Sequence, residues 1–119
     1  MNYDELDVYK EAHKIVLDVY QITKTFPKTE QFNLISQITR AAYSIPSNIA
    51  VGNSRNTTKE YINFLYISRG SLGELRYFLL LSKDLEYISV DLYNQMVEKC
   101  DRIAKMLNSL INHLKKLKK

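Results

Sequence analysis

Apolar residues recur along this chain at intervals of three and four, and four stretches hold that period long enough to be amphipathic helices. The first runs from about Asp4 to Lys24, with Leu6, Tyr9, Ala12, Val16, Val19 and Thr23 on one face. Phe26-Pro27 ends it, because proline removes an amide donor and disfavours helix in the residue before it. The second spans Thr29 to Asn53, with Leu34, Ile38, Ala41, Ile45 and Ile49 as its stripe. Pro46 lies inside it and predicts a kink near Ala42 to Ser44, where the Ala42 carbonyl loses its partner. Gly52-Asn53 reads as its terminator, with glycine as the left-handed residue.

The third stretch opens on Thr57-Thr58-Lys59-Glu60, a hydroxyl at the cap and a carboxylate three residues on. It continues to about Leu85 with Tyr61, Leu65, Ser68, Leu72, Leu75 and Leu79 inward. The fourth begins near Ser89, where Ile88 and Tyr93 can form a hydrophobic staple and Ser89 can cap. Its stripe is Leu92, Met96, Cys100, Ile103, Leu107, Leu110, Leu114 and Leu117. Short links between amphipathic helices make antiparallel neighbours. The pattern therefore predicts one all-α domain over residues 1–119, an antiparallel up-down-up-down four-helix bundle with a kinked second helix. Its rod would be about 30 to 40 Å long.

The third helix carries more apolar surface than one core requires. Ile62, Tyr66, Gly73, Tyr77 and Leu80 form a second row, which predicts an interface with other copies of the chain. Gly73 in that row would let another backbone come close. Half-buried tyrosines at the bundle corners are the plainer reading of the same row.

Charge changes the picture next. The net charge of +4 permits a polyanionic partner without demanding one. Arg69, Arg76 and Lys83 recur every seven residues, and Asp4, Asp7, Glu11 and Asp18 make an acidic row on the first helix. The two rows could pair within one bundle or across protomers, or the basic row could track phosphates. Lys115, Lys116, Lys118 and Lys119 end the chain, either as a solvated tail or as a salt-sensitive grip on RNA or DNA. Gln37, Arg40, Ser44, Ser47, Asn48 and Arg55 form a polar lane beside Pro46. Its hydroxyl and amide groups suit a structural role, satisfying backbone groups freed by the proline. Arg40 and Arg55 could equally contact anions.

Catalytic chemistry finds no constellation. Glu11 and His13 are two apart and cannot make a Glu-x-x-His metal element, and His113 lacks the arginine of an Arg-x4-His ribonuclease motif, since the nearest upstream is Arg102, about three turns away. The single cysteine, Cys100, sits on an apolar stripe, excludes an internal disulfide and suits a reducing compartment. The acidic N-terminal residues are the opposite of a signal peptide, and no apolar run approaches the roughly 18 residues of a membrane span. The expectation is a cytoplasmic protein with no cofactor, no metal and no membrane partner.

Phe26-Pro27, Gln37-Ile38-Thr39-Arg40-Ala41-Ala42, Ser44-Ile45-Pro46-Ser47-Asn48-Ile49-Ala50, Gly52 and Gly70-Ser71-Leu72-Gly73-Glu74-Leu75 together carry a resemblance. The chain resembles the bacterial four-helix bundle proteins encoded by intervening sequences in large-subunit ribosomal RNA genes. The accessory variability determinant of diversity-generating retroelements is similar to them. The resemblance implies a homopentameric barrel without enzymatic activity, and in the retroelement members a basic surface that binds nucleic acid and a reverse transcriptase. Positions matching the family's motifs are Arg40, Ser44, Pro46, Asn48, Gly52, Arg55, Gly70, Ser71 and Glu74. Val51 departs from the glutamate usual in the Asn-Ile-Ala-Glu-Gly run.

Two functions follow. One is a non-catalytic oligomer that binds nucleic acid through Arg40, Arg55, Arg69, Arg76, Lys115, Lys116, Lys118 and Lys119. The other is a protein-interaction scaffold whose arginines pair with carboxylates, without direct nucleic-acid contact. Ser44, Asn48 and Glu74 are expected to serve the fold in either case.

Overall fold

The computed structural model describes residues 6–117. Four helices run through them: α1 (Asp7–Thr23), α2 (Leu34–Asn53), α3 (Thr58–Asp84) and α4 (Val90–Leu117). A single 3-10 turn, Lys28–Glu30, lies between α1 and α2. Asp4, Glu5, Lys118 and Lys119 fall outside the described residues.

Local chemistry sets the helix starts. Thr57 Oγ1 accepts the Glu60 amide at 3.1 Å and donates to the Glu60 carboxylate, so the two side chains hold the first turn of α3 together. Ser89 Oγ accepts the Leu92 amide at 3.0 Å, and Ile88 and Tyr93 both pack against the core behind that cap. The α3–α4 turn relies on a residue that sequence pattern does not mark. Glu86 adopts φ 64°, in the left-handed region. Its amide donates to the Lys83 carbonyl, and the Tyr87 amide donates to the Ser82 carbonyl, the paired bonds of a Schellman closure. Tyr87 then reaches across the end of the bundle. Its ring packs on Phe26 at 5.2 Å, and its hydroxyl donates to Glu30 at 2.8 Å, which holds the phenol above its ordinary range.

The helices pack in chain order around one core. α2 lies between α1 and α3, and α4 between α3 and α1, while the backbones of the diagonal pairs stay apart. This is the expected antiparallel bundle. It measures 49 × 25 × 20 Å, longer than the predicted rod, because the 28 residues of α4 alone reach about 42 Å. The α2 stripe is buried as expected, and Val8 and Ile15 join the α1 stripe. On α4 the inward residue is Ile111 rather than Leu110, and Leu117 is exposed. A strict 3.5-residue repeat drifts around an ordinary helix by about 20° per heptad, and the double step Ile103, Leu107, Ile111 corrects it.

The α2–α3 seam is the tightest. α2 runs unbroken from Leu34 to Asn53 with Pro46 inside it. Side chains brace the segment around the proline: Ser68 Oγ donates to the Ile45 carbonyl at 2.8 Å, and Asn48 Nδ2 donates to the Ser44 carbonyl at 2.8 Å. The bonds thus fall on Ser44 and Ile45 rather than on the Ala42 carbonyl singled out by sequence. Gly52 is also corrected. No glycine here has positive φ, and Gly52 lies inside α2, buried against α3. A Cβ there would lie 2.8 Å from Phe64 Cβ and 3.2 Å from the Tyr61 carbonyl oxygen. The glycine serves close packing, not a left-handed stop.

Candidate nucleic-acid interface

The basic row of α3 is a packed flank. Ile62, Arg69, Arg76 and Lys83 are spaced by seven, and this row faces α4. Ile62, placed by sequence on an outward interface row, is 6% exposed and belongs to the core. The first turns of α3 lie beside the last turns of α4, where Lys115 reaches Tyr66.

Opposite this row α4 presents Asp101, Asn108 and Lys115, also spaced by seven. Antiparallel packing pairs them in reverse order. Arg76 donates to Asp101 in an ion pair. Arg69 Nη1 donates to Asn108 Oδ1 at 3.0 Å, a neutral partner. Lys115 meets the Tyr66 ring, with Nζ 5.5 Å from its centroid, and Arg69 lies over the same ring at 4.8 Å. Along one seam the partner on α4 therefore changes from acid to amide to base. Positive charge is cancelled at Arg76 and left uncancelled at Arg69 and Lys115.

The remaining candidates divide the same way. Arg40 pairs with Glu74 at 2.9 Å and also donates to Gln37. Arg55 lies over Phe64 at 4.8 Å. Lys116 is exposed in the last turn of α4. Among the described residues, no ion pair at contact distance involves Arg55, Arg69 or Lys115. Arg55 and Lys115 lie at the end of the bundle formed by the α2–α3 connection and the end of α4, and Arg69 lies about three turns into α3 from that end. Sequence reasoning missed Phe64, Asp101 and Asn108, although the heptad spacing of Asp101, Asn108 and Lys115 was there to be matched against Arg76 and Arg69.

The acidic row of α1 does not meet the basic row of α3, since those helices are diagonal. It turns to α4 instead. Glu11 accepts from Arg102 at 3.2 Å and from Lys14 at 3.1 Å, and Asp18 accepts from Lys99 at 2.7 Å. Lys14, with Arg102, holds the Glu11 carboxyl below the usual carboxylate range. Exposed pairs of this kind contribute about 0–1 kcal/mol each and set register more than stability.

The structural polar lane is brought together. Ser44 and Ser71 hydroxyls share a 2.8 Å bond between α2 and α3, and Asn48 Nδ2 donates to Ser44 Oγ at 3.0 Å. Glu74 accepts the Arg40 guanidinium on the surface above them. On the outer face of α3 lie Gly70 and Gly73, with nothing within 4 Å of a built Cβ, and beside them Ile67 at 50% exposure and Tyr77 at 57%. Leu80 is exposed, while Tyr66 is half-buried beneath its two cations.

Two further features bear on chemistry. Burial pushes the Cys100 thiol up to about 12, so it stays protonated at neutral pH and is a packing group. An open groove of about 660 Å³ runs between α1 and α4, lined by Tyr9, Lys10, His13, Arg102 and Met106 among others. Among the described residues, no group of three or more His, Cys, Asp or Glu side chains is placed to hold a metal ion. No helix among them is long and apolar enough to cross a membrane.

Fold and surface together define a small antiparallel helical bundle in which Arg55 and Lys115, at the end formed by the α2–α3 connection, and Arg69, farther along α3, carry charge matched by no carboxylate among the described residues. A family model for the 23S rRNA-intervening sequence protein matches residues 4–109. The chain belongs to that family. It is also similar to the crystal structure of a protein of unknown function from the S23 ribosomal protein family of Bacteroides thetaiotaomicron VPI-5482. The two share 26% identity over 87% of this chain and 97% of the other, with a TM-score of 0.81. No curated protein matches the chain.

Proposed function

We propose that this protein is a non-catalytic, self-associating cytoplasmic factor that binds RNA or DNA through the basic end of its bundle. One observation carries the reading: at and near that end, Arg55, Arg69 and Lys115 meet aromatic rings and an amide instead of carboxylates. Cations held this way keep their charge for an external polyanion, whereas Arg40 and Arg76 are already matched inside the bundle. Phosphate neutralisation releases counterions, so affinity should fall steeply with salt. A mobility-shift titration of structured RNA and of duplex DNA at low salt tests this. Retardation that vanishes as salt is raised supports it, and no retardation of either nucleic acid at low salt removes it.

Self-association is the second part of the proposal, supported by Ile67, Gly70, Gly73, Tyr77 and Leu80 lying together on the outer face of α3. Apolar surface around two helical glycines suits a close helix contact. A homopentamer is the assembly the family resemblance suggests, and a reverse transcriptase or another protein would be a further partner. The rival reading, a scaffold without nucleic-acid contact, draws on the Arg40–Glu74 and Arg76–Asp101 pairs. It requires that neutralising Arg69 and Arg76 weaken assembly. Unchanged sedimentation of that double variant would dismiss it.

A further inference from the structure

Two cations share one aromatic ring at the basic end. Arg69 Cζ lies 4.8 Å and Lys115 Nζ 5.5 Å from the Tyr66 centroid. The residues come from different helices, so folding itself brings the like charges together. Their mutual repulsion opposes that arrangement, and the ring quadrupole with the Asn108 amide offsets it. Among the described residues, no carboxylate pairs with either cation. A phosphate oxygen pair placed between the cations would relieve the repulsion and accept charge-assisted hydrogen bonds from both.

We propose that Arg69 and Lys115, seated on Tyr66 and with Arg69 braced by Asn108, form a preassembled site for a phosphodiester group of a nucleic-acid backbone. Tyr66 and Asn108 are positioning residues, acting through the two cations. The proposal rests on the nucleic-acid reading above and adds what is recognised there: the charge of the backbone, not the identity of a base. Aromatic residues that read single strands stack a nucleobase on the ring face. The Tyr66 ring already receives a guanidinium and an ammonium, so it serves the phosphate contact instead.

Fluorescence anisotropy of the full chain tests this, with a labelled thymidine oligonucleotide and a matched abasic one over a salt series. Arg69→Gln and Lys115→Gln should each weaken binding about fivefold at 0.1 M salt and flatten the log–log salt slope by about 0.7. Tyr66→Leu and Asn108→Ala should weaken both oligonucleotides equally, by about two- to fivefold, with the slope unchanged. Tyr66→Phe, which keeps the ring, should restore what Tyr66→Leu loses; a variant that merely damaged packing would not discriminate in this way. A Tyr66→Leu loss much larger on thymidine than on the abasic strand would mean base stacking and overturn the proposal. If the chain binds and Arg69→Gln and Lys115→Gln leave affinity and slope untouched, the phosphates are held elsewhere and only this site falls. If the unaltered chain binds neither strand at low salt, this site falls, while the broader reading stands or falls with the titration of structured RNA and duplex DNA.

Discussion

The three glycines of this chain offer a sharp test of its packing, because all three are helical and their surroundings differ. In a helix interior, alanine is favoured over glycine by about 1 kcal/mol. Gly70 and Gly73 have open space where a methyl group would go, so each alanine variant should collect that gain in full. Gly52 should not. Its Cβ would lie 2.8 Å from Phe64 Cβ, 3.0 Å from Tyr61 Cδ1 and 3.2 Å from the Tyr61 carbonyl oxygen. None of the three is the far end of a flexible side chain, so α2 and α3 must separate. Overpacking of this kind destabilises by about 1–3 kcal/mol. After the propensity gain, the net loss at Gly52→Ala is about 0–2 kcal/mol.

With an unfolding entropy of about 2.1 cal/mol/K per residue, 119 residues give about 0.25 kcal/mol/K. Gly70→Ala should therefore raise Tm by about 4 °C, and Gly52→Ala should not raise it, lowering it by as much as about 8 °C. Thermal melts followed by circular dichroism, at a concentration where sedimentation shows a single species, measure both. Gly73→Ala adds a second readout. If another copy approaches α3 there, this variant should melt higher as a protomer yet associate more weakly. A Gly52→Ala variant that melts higher, like the other two, would refute the packing account of the α2–α3 seam.

Three other outcomes can be checked directly. Glu86→Gly relieves a left-handed residue of its Cβ and should raise Tm by about 4 °C, corresponding to about 1 kcal/mol, in the same melts. Tyr87→Phe removes the hydroxyl bond to Glu30 and should lower stability by about 1 kcal/mol, read from the urea midpoint at constant slope. Cys100 should be inert to a thiol reagent until the chain unfolds. Its folded-state pKa is raised to about 12, so its contribution is complete below the ordinary thiol range of about 8.5 and is lost as pH rises from there toward 12. Chemical denaturation at pH 8 and above should show that decline, at a slope of at most about 1.4 kcal/mol per pH unit from this group.

What sequence shows well here is whatever a single helix decides for itself. The Thr57–Glu60 and Ser89 caps and the core stripe of α2 depend on near neighbours in the chain, and they fold as read. Choices made by a second helix are harder to see. Gly52 near a helix end fits a left-handed stop and a close contact equally until Phe64 and Tyr61 are placed beside it. Angular counting set Ile62 outward, since a helical wheel does not say which flank the next helix will cover. Glu86 carries no mark of its left-handed conformation, which glycine or asparagine would have signalled. Tyr66 reads as an oligomer contact by hydropathy alone. Only the arrival of Lys115 from α4, together with Arg69, turns it into a support for cations.

The sequence Asp101, Asn108, Lys115 on α4 links these observations to function. Three positions on one helix face meet the cation-rich flank of α3, and the partner they offer changes by one charge at each heptad. Had all three been acidic, α3 would be neutralised along its length and the bundle would have no preferred end. As built, Arg55, Lys59, Lys115 and Lys116 outnumber Glu60 around the α2–α3 link and the last turn of α4, while at the other end Lys24, Lys28 and Lys83 are accompanied by Glu30, Asp84, Glu86 and Asp91. Symmetry then matters. In any closed ring with a single rotation axis, every copy points the same way, so each adds its basic end to one common face. A lone bundle offers a few phosphate contacts and correspondingly weak binding, whereas a ring would multiply them without any new residue. Affinity for long nucleic acid should accordingly track assembly, and an assembly-deficient Gly73 variant that keeps full affinity for a long strand would break that link.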